Sequence, residues 1–136
     1  MKSNSLEAIA DALVADGKGI LAADETIGTL TKRFEKLKIR STPESRRNYR
    51  ELLFTTPDSA DFISGVIMCD ETIHQQDSNH TPLSDILLKR GIIPGIKADS
   101  GAKPLASSDG ETVTEGLDGL RERLKEYRAI GARFAK

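Results

Sequence analysis

Apolar positions along the chain follow two patterns in turn, one recurring every three to four residues and one running continuously over roughly four to eight. Residues 5–16 place Leu6, Ile9, Ala10, Leu13 and Val14 on one helical face, with Ser5 as an N-cap and Gly17 and Gly19 as the stop. The run Ile20-Leu21-Ala22-Ala23 then ends abruptly at Asp24-Glu25, which predicts a buried strand breaking into a polar loop. Helical spacing returns over 29–37 in Leu30, Arg33, Phe34 and Leu37. Thr42-Pro43-Glu44-Ser45 opens another helix, with proline at or near its first position, running to about Leu53. Residues 62–69 form a second apolar run, rich in β-branched side chains and again ending in acid at Asp70-Glu71.

After a polar stretch over 75–81, Leu83, Ile86, Leu87 and Leu88 predict a short helix that stops at Gly91, and residues 92–97 a third strand. A loop rich in Ser, Gly and Asp is expected over 98–116. Leu117, Leu120, Leu124, Tyr127 and Arg128 then mark a long, charged helix, and residues 132–136 begin a fourth strand.

Strands alternating with helices imply right-handed βαβ units and a parallel sheet. Four strands fit either a small open α/β sheet or the first half of a (β/α)8 TIM barrel, whose usual size is about 250 residues. A chain stopping on Phe134-Ala135-Lys136, with no helix to cover the strand, favours the second, so residues 1–136 are expected to be the N-terminal half of one barrel domain.

Composition narrows the function classes. The chain has 136 residues, and 20 Lys+Arg against 21 Asp+Glu leave a net charge of −1, without the basic stripe a nucleic-acid partner needs. One cysteine permits no internal disulfide. The N-terminus lacks a signal-peptide h-region, and no apolar run approaches the ~18 residues that span a bilayer. A cytoplasmic protein with no membrane partner is expected.

In parallel α/β folds ligands bind beyond the carboxyl ends of the strands. Those ends carry Asp24 and Glu25, Asp70 and Glu71, Lys97 and Asp99, and Lys136. A desolvated strand lysine can have its pKa lowered and act as nucleophile or acid/base, with a nearby aspartate moving protons; ordinary strand-end solvation is the plainer alternative. Thr26-Ile27-Gly28-Thr29 before a helix, with Lys32 and Arg33, offers hydroxyls, helix N–H groups and a guanidinium to a phosphate, although Thr29 serves equally well as an N-cap. The glycines over 95–103 miss P-loop spacing. His74, Asp77 and His80 are expected to be solvated loop groups rather than metal ligands, and Cys69 a small core or rim residue.

Several segments together carry a resemblance: Gly17-Lys-Gly-Ile-Leu-Ala-Ala-Asp-Glu25, Arg46-Arg-Asn-Tyr-Arg-Glu-Leu-Leu-Phe54, Ile63-Ser-Gly-Val-Ile67, Gly91-Ile-Ile-Pro-Gly-Ile-Lys97, Asp109-Gly-Glu, Gly116-Leu-Asp-Gly-Leu120 and Gly131-Ala-Arg-Phe-Ala-Lys136. In order and spacing, over nearly the whole chain, they resemble class I fructose-bisphosphate aldolase. The resemblance implies a barrel that reversibly cleaves fructose 1,6-bisphosphate to dihydroxyacetone phosphate and glyceraldehyde 3-phosphate through a lysine Schiff base, with no metal and no cofactor. By motif position Asp24 is similar to the family's proton-transferring aspartate, and Lys97 and Lys136 to its two strand-end lysines beside the substrate. Arg33 matches a phosphate-holding arginine, and Arg46 is a second candidate of that kind. Thr26 and Thr29 stand where the family carries serine, and Ala98-Asp-Ser100 replaces a stretch that carries another lysine. The Schiff-base lysine and catalytic glutamates of the family belong to later strands, so the 136-residue chain alone is expected to be inactive, with a non-catalytic sugar-phosphate-binding or subunit-pairing fragment as the alternative. The full-length protein is expected to be a homo-oligomer acting on a small sugar phosphate.

Overall fold

A computed structural model describes residues 5–136; residues 1–4, part of the stretch read for a leader, lie outside it. In chain order the elements are α1 (Leu6–Leu13), β1 (Gly19–Ala23), α2 (Ile27–Lys36), α3 (Pro43–Thr55), α4 (Ser59–Phe62), β2 (Ile63–Met68), α5 (Asp70–Ile73), α6 (Leu83–Lys89), β3 (Ile93–Ile96), β4 (Gly101–Pro104), β5 (Thr112–Glu115), α7 (Leu120–Ile130) and β6 (Phe134–Ala135). The four expected strands are β1, β2, β3 and β6, paired parallel in that order, so each neighbour in sequence is the neighbour in the sheet. That is a parallel α/β architecture with its crossovers made by helices.

Pleating sorts the strand residues onto two faces. On one, Ala23, Val66, Met68 and Ile96 meet Phe54, Ile73, Leu83, Leu87 and Tyr127 from the helices, and this layer is the core. On the other, the registers align Ile20 with Gly65 and Ile93, and then Ala22 with Ile67, Gly95 and Phe134. Gly65 and Gly95 make room there. A Cβ at Gly95 would lie 2.3 Å from Phe134 Cζ, and one at Gly65 2.5 Å from Leu13 Cδ2 and 3.2 Å from Phe134 Cε1. The Phe134 ring therefore lies flat across two strands that lack side chains beneath it. Ser64 ties the end of α1 to β2, its hydroxyl lying 2.6 Å from the Leu13 carbonyl.

Local chemistry sets the element boundaries. Ser5 caps α1 by accepting from Ala8 N, and the helix ends at Leu13, three residues before the expected limit. Thr42 and Ser45 form a reciprocal capping box around Pro43, and α3 runs two residues past Leu53. Three expectations are corrected. The loop over 98–116 contains an antiparallel hairpin, β4 with β5, whose residues are nearly all exposed and so carry no alternation of polarity. Leu117 is exposed and lies outside α7, which begins at Leu120 after a left-handed Gly119. Phe62 ends α4 instead of opening a strand. Among the described residues no helix is long and apolar enough to cross a membrane.

Candidate functional site

Continuing the sheet registers by one pleat places Asp24, Cys69, Lys97 and Lys136 in a single layer at the carboxyl ends of β1, β2, β3 and β6. Strand spacing makes the outermost pair, Asp24 and Lys136, roughly 14 Å apart in a flat sheet. Their side chains nevertheless meet, Lys136 Nζ donating to Asp24 Oδ2 at 2.8 Å, so the sheet curls with this layer on its concave side. Asp24 is buried, while the Lys136 side chain is about half exposed at 52%. The Asp24 carboxylate, by hydrogen bond first and by charge second, pushes the Lys136 ammonium above its ordinary value. The direction is opposite to the lowering that a desolvated strand lysine would show, and it favours the cationic form of Lys136. Lys97 donates to Asp99 Oδ1 at 2.5 Å and to the Asp99 carbonyl at 3.1 Å, and this contact holds the Asp99 carboxyl below its usual range.

Beside Asp24 the chain turns into α2. Thr26 is the N-cap of this helix, its hydroxyl accepting from Thr29 N and lying 3.1 Å from the Thr29 hydroxyl. Thr29 is therefore inside the first turn, and the expected cap moves three residues upstream. Two turns along, Arg33 returns to the strand end and donates to Glu25 Oε1, with its side chain 57% exposed.

Arg46 is placed differently from Arg33. It is buried, and it donates from Nε and Nη2 to the two oxygens of Glu71 at 2.8 and 2.7 Å and from Nη1 to the Ser41 hydroxyl. One turn further on α3, Arg50 is 1% exposed and binds Glu25 twice, from Nη1 to Oε2 at 2.6 Å and from Nη2 to the carbonyl at 3.0 Å. The same helix face thus braces the acids that follow β1 and β2. Arg50 was not singled out from the sequence, yet the signal is there: Arg46, Arg50 and Phe54 recur at i, i+4 and i+8, all buried on one face.

The remaining sequence candidates lie elsewhere. His74 is exposed, as expected, and is also held: one ring nitrogen lies 2.8 Å from the Asp70 carbonyl and the other 2.9 Å from Glu126 Oε1, and these partners raise its pKa. Asp77 accepts from Asn79 N and Thr81 N within its own turn. Cys69 Sγ lies 3.2 Å from the Thr72 hydroxyl. Among the described residues no three His, Cys, Asp or Glu side chains converge as a metal-binding group.

The family model described as fructose-bisphosphate aldolase class-I matches residues 5–136. The chain is 55% identical over 136 residues to a probable fructose-bisphosphate aldolase class 1 of Xanthomonas campestris, covering 100% of this chain and 41% of the relative. It is 49% identical to the cytosolic fructose-bisphosphate aldolase 6 of Arabidopsis thaliana, over 93% of this chain and 37% of that protein. A solved structure of fructose-bisphosphate aldolase from Plasmodium falciparum, in complex with TRAP and a small-molecule inhibitor, matches with a TM-score of 0.90 at 49% identity, covering 93% of this chain and 37% of that one. The chain spans about two fifths of the length of these relatives. Matched across residues 5–136 and at this level of identity, the chain belongs to the class I fructose-bisphosphate aldolase family.

Proposed function

We propose that residues 1–136 supply the first four strands of a (β/α)8 barrel, and that the protein containing them cleaves fructose 1,6-bisphosphate reversibly through a lysine Schiff base. The observation that carries this reading is the rim layer, in which Asp24, Lys97 and Lys136 share one concave face and Asp24 and Lys136 are in direct contact. Forming an imine requires a proton to be delivered to the departing carbinolamine hydroxyl, and breaking the carbon–carbon bond requires a base to take a hydroxyl proton. We assign such transfers to Asp24, and Lys136, hydrogen-bonded to it, orients the carboxylate as a fixed positive charge.

The two lysine cations stabilise the negative charge of substrate phosphates and developing oxyanions. Arg33 projects into solvent from α2 and, with the Thr26 and Thr29 hydroxyls at the start of that helix, takes a phosphate. Arg46, engaged by Glu71, acts by bracing the wall of the site. The Schiff-base lysine and the catalytic glutamates come from strands following residue 136. The name of the cytosolic Arabidopsis relative supports a cytoplasmic location, and the homo-oligomer rests on the family resemblance alone.

Steady-state cleavage of fructose 1,6-bisphosphate by the complete protein tests this reading. Asp24→Asn removes the proton-transferring oxygen while keeping the shape, and kcat is expected to fall by roughly 10²–10⁴. An Asp24→Asn protein that keeps its full kcat would sink the assignment.

A further inference from the structure

Arg50 carries a full charge at 1% exposure, deeper than any other arginine among the described residues, and desolvating a guanidinium is unfavourable unless it is well paired. Two of its three hydrogen bonds converge on one residue. Nη1 donates to Glu25 Oε2, Nη2 donates to the Glu25 backbone carbonyl, and Nε points to the Thr72 hydroxyl at 3.4 Å. The other carboxylate oxygen of Glu25, Oε1, receives Arg33 Nη1. Glu25 is thus a two-sided bridge, with a buried arginine on one oxygen and a solvent-facing arginine on the other. Because the backbone carbonyl is held as well as the carboxylate, neither the strand end nor the side chain is free to turn.

The difference in exposure gives the bridge a direction. Arg50 and Glu25 have side chains 1% and 14% exposed, whereas the Arg33 side chain is 57% exposed. A long exposed arginine loses rotamer entropy when it captures an anion, and an anchor that has already restricted it lowers that loss. We propose that Arg50 is a positioning residue for phosphate capture: through Glu25 it holds Arg33 in the orientation that meets a substrate phosphate. The assignment rests on Arg33 being the phosphate ligand of the proposed reaction. It separates the two buried arginines on α3, since Arg46 is engaged with Glu71 and with Ser41, whose hydroxyl accepts from Thr31 of α2, and makes no hydrogen bond to Glu25, the residue that holds Arg33.

The test is a double-mutant cycle in the complete protein, with kcat and KM for fructose 1,6-bisphosphate and thermal midpoints measured for each variant. Arg50→Lys keeps the charge but loses the two-point hold on Glu25. It is expected to raise KM about tenfold while kcat stays within about twofold, the size of a charge-assisted contact to a phosphate. Arg33→Ala alone raises KM to a similar extent. In the Arg33→Ala background, Arg50→Lys then changes KM by less than about twofold, because the group it positions is gone. The same factor in both backgrounds would show that Arg50 serves the fold alone and overturn the proposal. So would a lowered KM in Arg50→Lys, which would mean that the bridge competes with phosphate for Arg33. If Arg33→Ala leaves KM unchanged, the phosphate reading of Arg33 fails and the positioning role fails with it; a normal Arg33 effect beside an additive Arg50 effect removes only the latter. Should Arg50→Lys not accumulate as folded protein, Glu25→Gln runs the same cycle, since it weakens the bridge at its centre.

Discussion

Substituting alanine for Gly95 puts one methyl group where the Phe134 ring already sits. The new Cβ would lie 2.3 Å from Cζ, 2.5 Å from Cε1 and 2.6 Å from Cε2 of that ring, well inside carbon–carbon contact, so either the ring or β6 must move. The ring also lies over Gly65 on the neighbouring strand, so sliding along the sheet gives it no room, and β6 is held to β3 by Arg133 N donating to Pro94 O at 2.8 Å and Lys136 N donating to Ile96 O at 2.9 Å. Overpacking of this kind costs about 1–3 kcal/mol. Phe134→Leu gives back the space; with most of the volume kept, its own cost is about 1 kcal/mol. The two changes are therefore expected to couple, the double variant Gly95→Ala with Phe134→Leu being scarcely less stable than Phe134→Leu alone. Urea unfolding of the complete protein, followed by far-ultraviolet circular dichroism at constant m-value, reads the four midpoints. Lys136 follows Phe134 by one pleat, so kcat should fall in Gly95→Ala and recover in the double variant along with stability. A neutral Gly95→Ala, or strictly additive costs, would refute the placement of Phe134 across the concave face.

Two further outcomes follow from local contacts. Because Asp70 and Glu126 raise the pKa of His74 above its unfolded value of about 6.5, the stabilisation from this contact is complete below that value and is lost as pH rises through the higher folded value. Tyr127, which donates to Asp70 Oδ1, and Arg123 nearby complete the charged surroundings. The urea midpoints of wild type and His74→Gln should thus differ more at pH 5.5 than at pH 8.5, and a gap that widens toward alkaline pH would contradict the assignment. Thr42→Ala removes one half of the capping box of α3 and should lower stability by about 1 kcal/mol, whereas Thr42→Ser should be nearly neutral by the same unfolding measurement.

Much of the site was legible because strand ends are marked twice, by the end of an apolar run and by the period of two. Asp24, Lys97 and Lys136 each follow such a run, and the registers of the parallel sheet then bring them into one layer with no further information from distant sequence. The starts of α1 and α3 were equally plain, since Ser5 and Thr42 act within three residues of themselves. What escaped depends on contacts made across the fold. The β4–β5 hairpin pairs exposed residues across a turn and shows no alternation of polarity, and α4 and α5 have four residues each, too few for a helical period. Glu25 and Glu71 looked like rim charges of the same kind as Asp24. Only the packing of α3 shows that they face Arg50 and Arg46 and hold the frame around the rim. Lys136 shows the opposite lesson: its place was foreseen, but its raised pKa depends on Asp24, 112 residues away in sequence.

The most direct test of the account as a whole is borohydride reduction of the complete protein in the presence of fructose 1,6-bisphosphate, with the modified lysine located by peptide mass. A covalent triose phosphate adduct on a lysine beyond residue 136 is predicted, with Asp24→Asn slowing its formation while Lys97 and Lys136 stay unmodified. An adduct on Lys97 or Lys136, or cleavage with no trapped lysine at all, would contradict it.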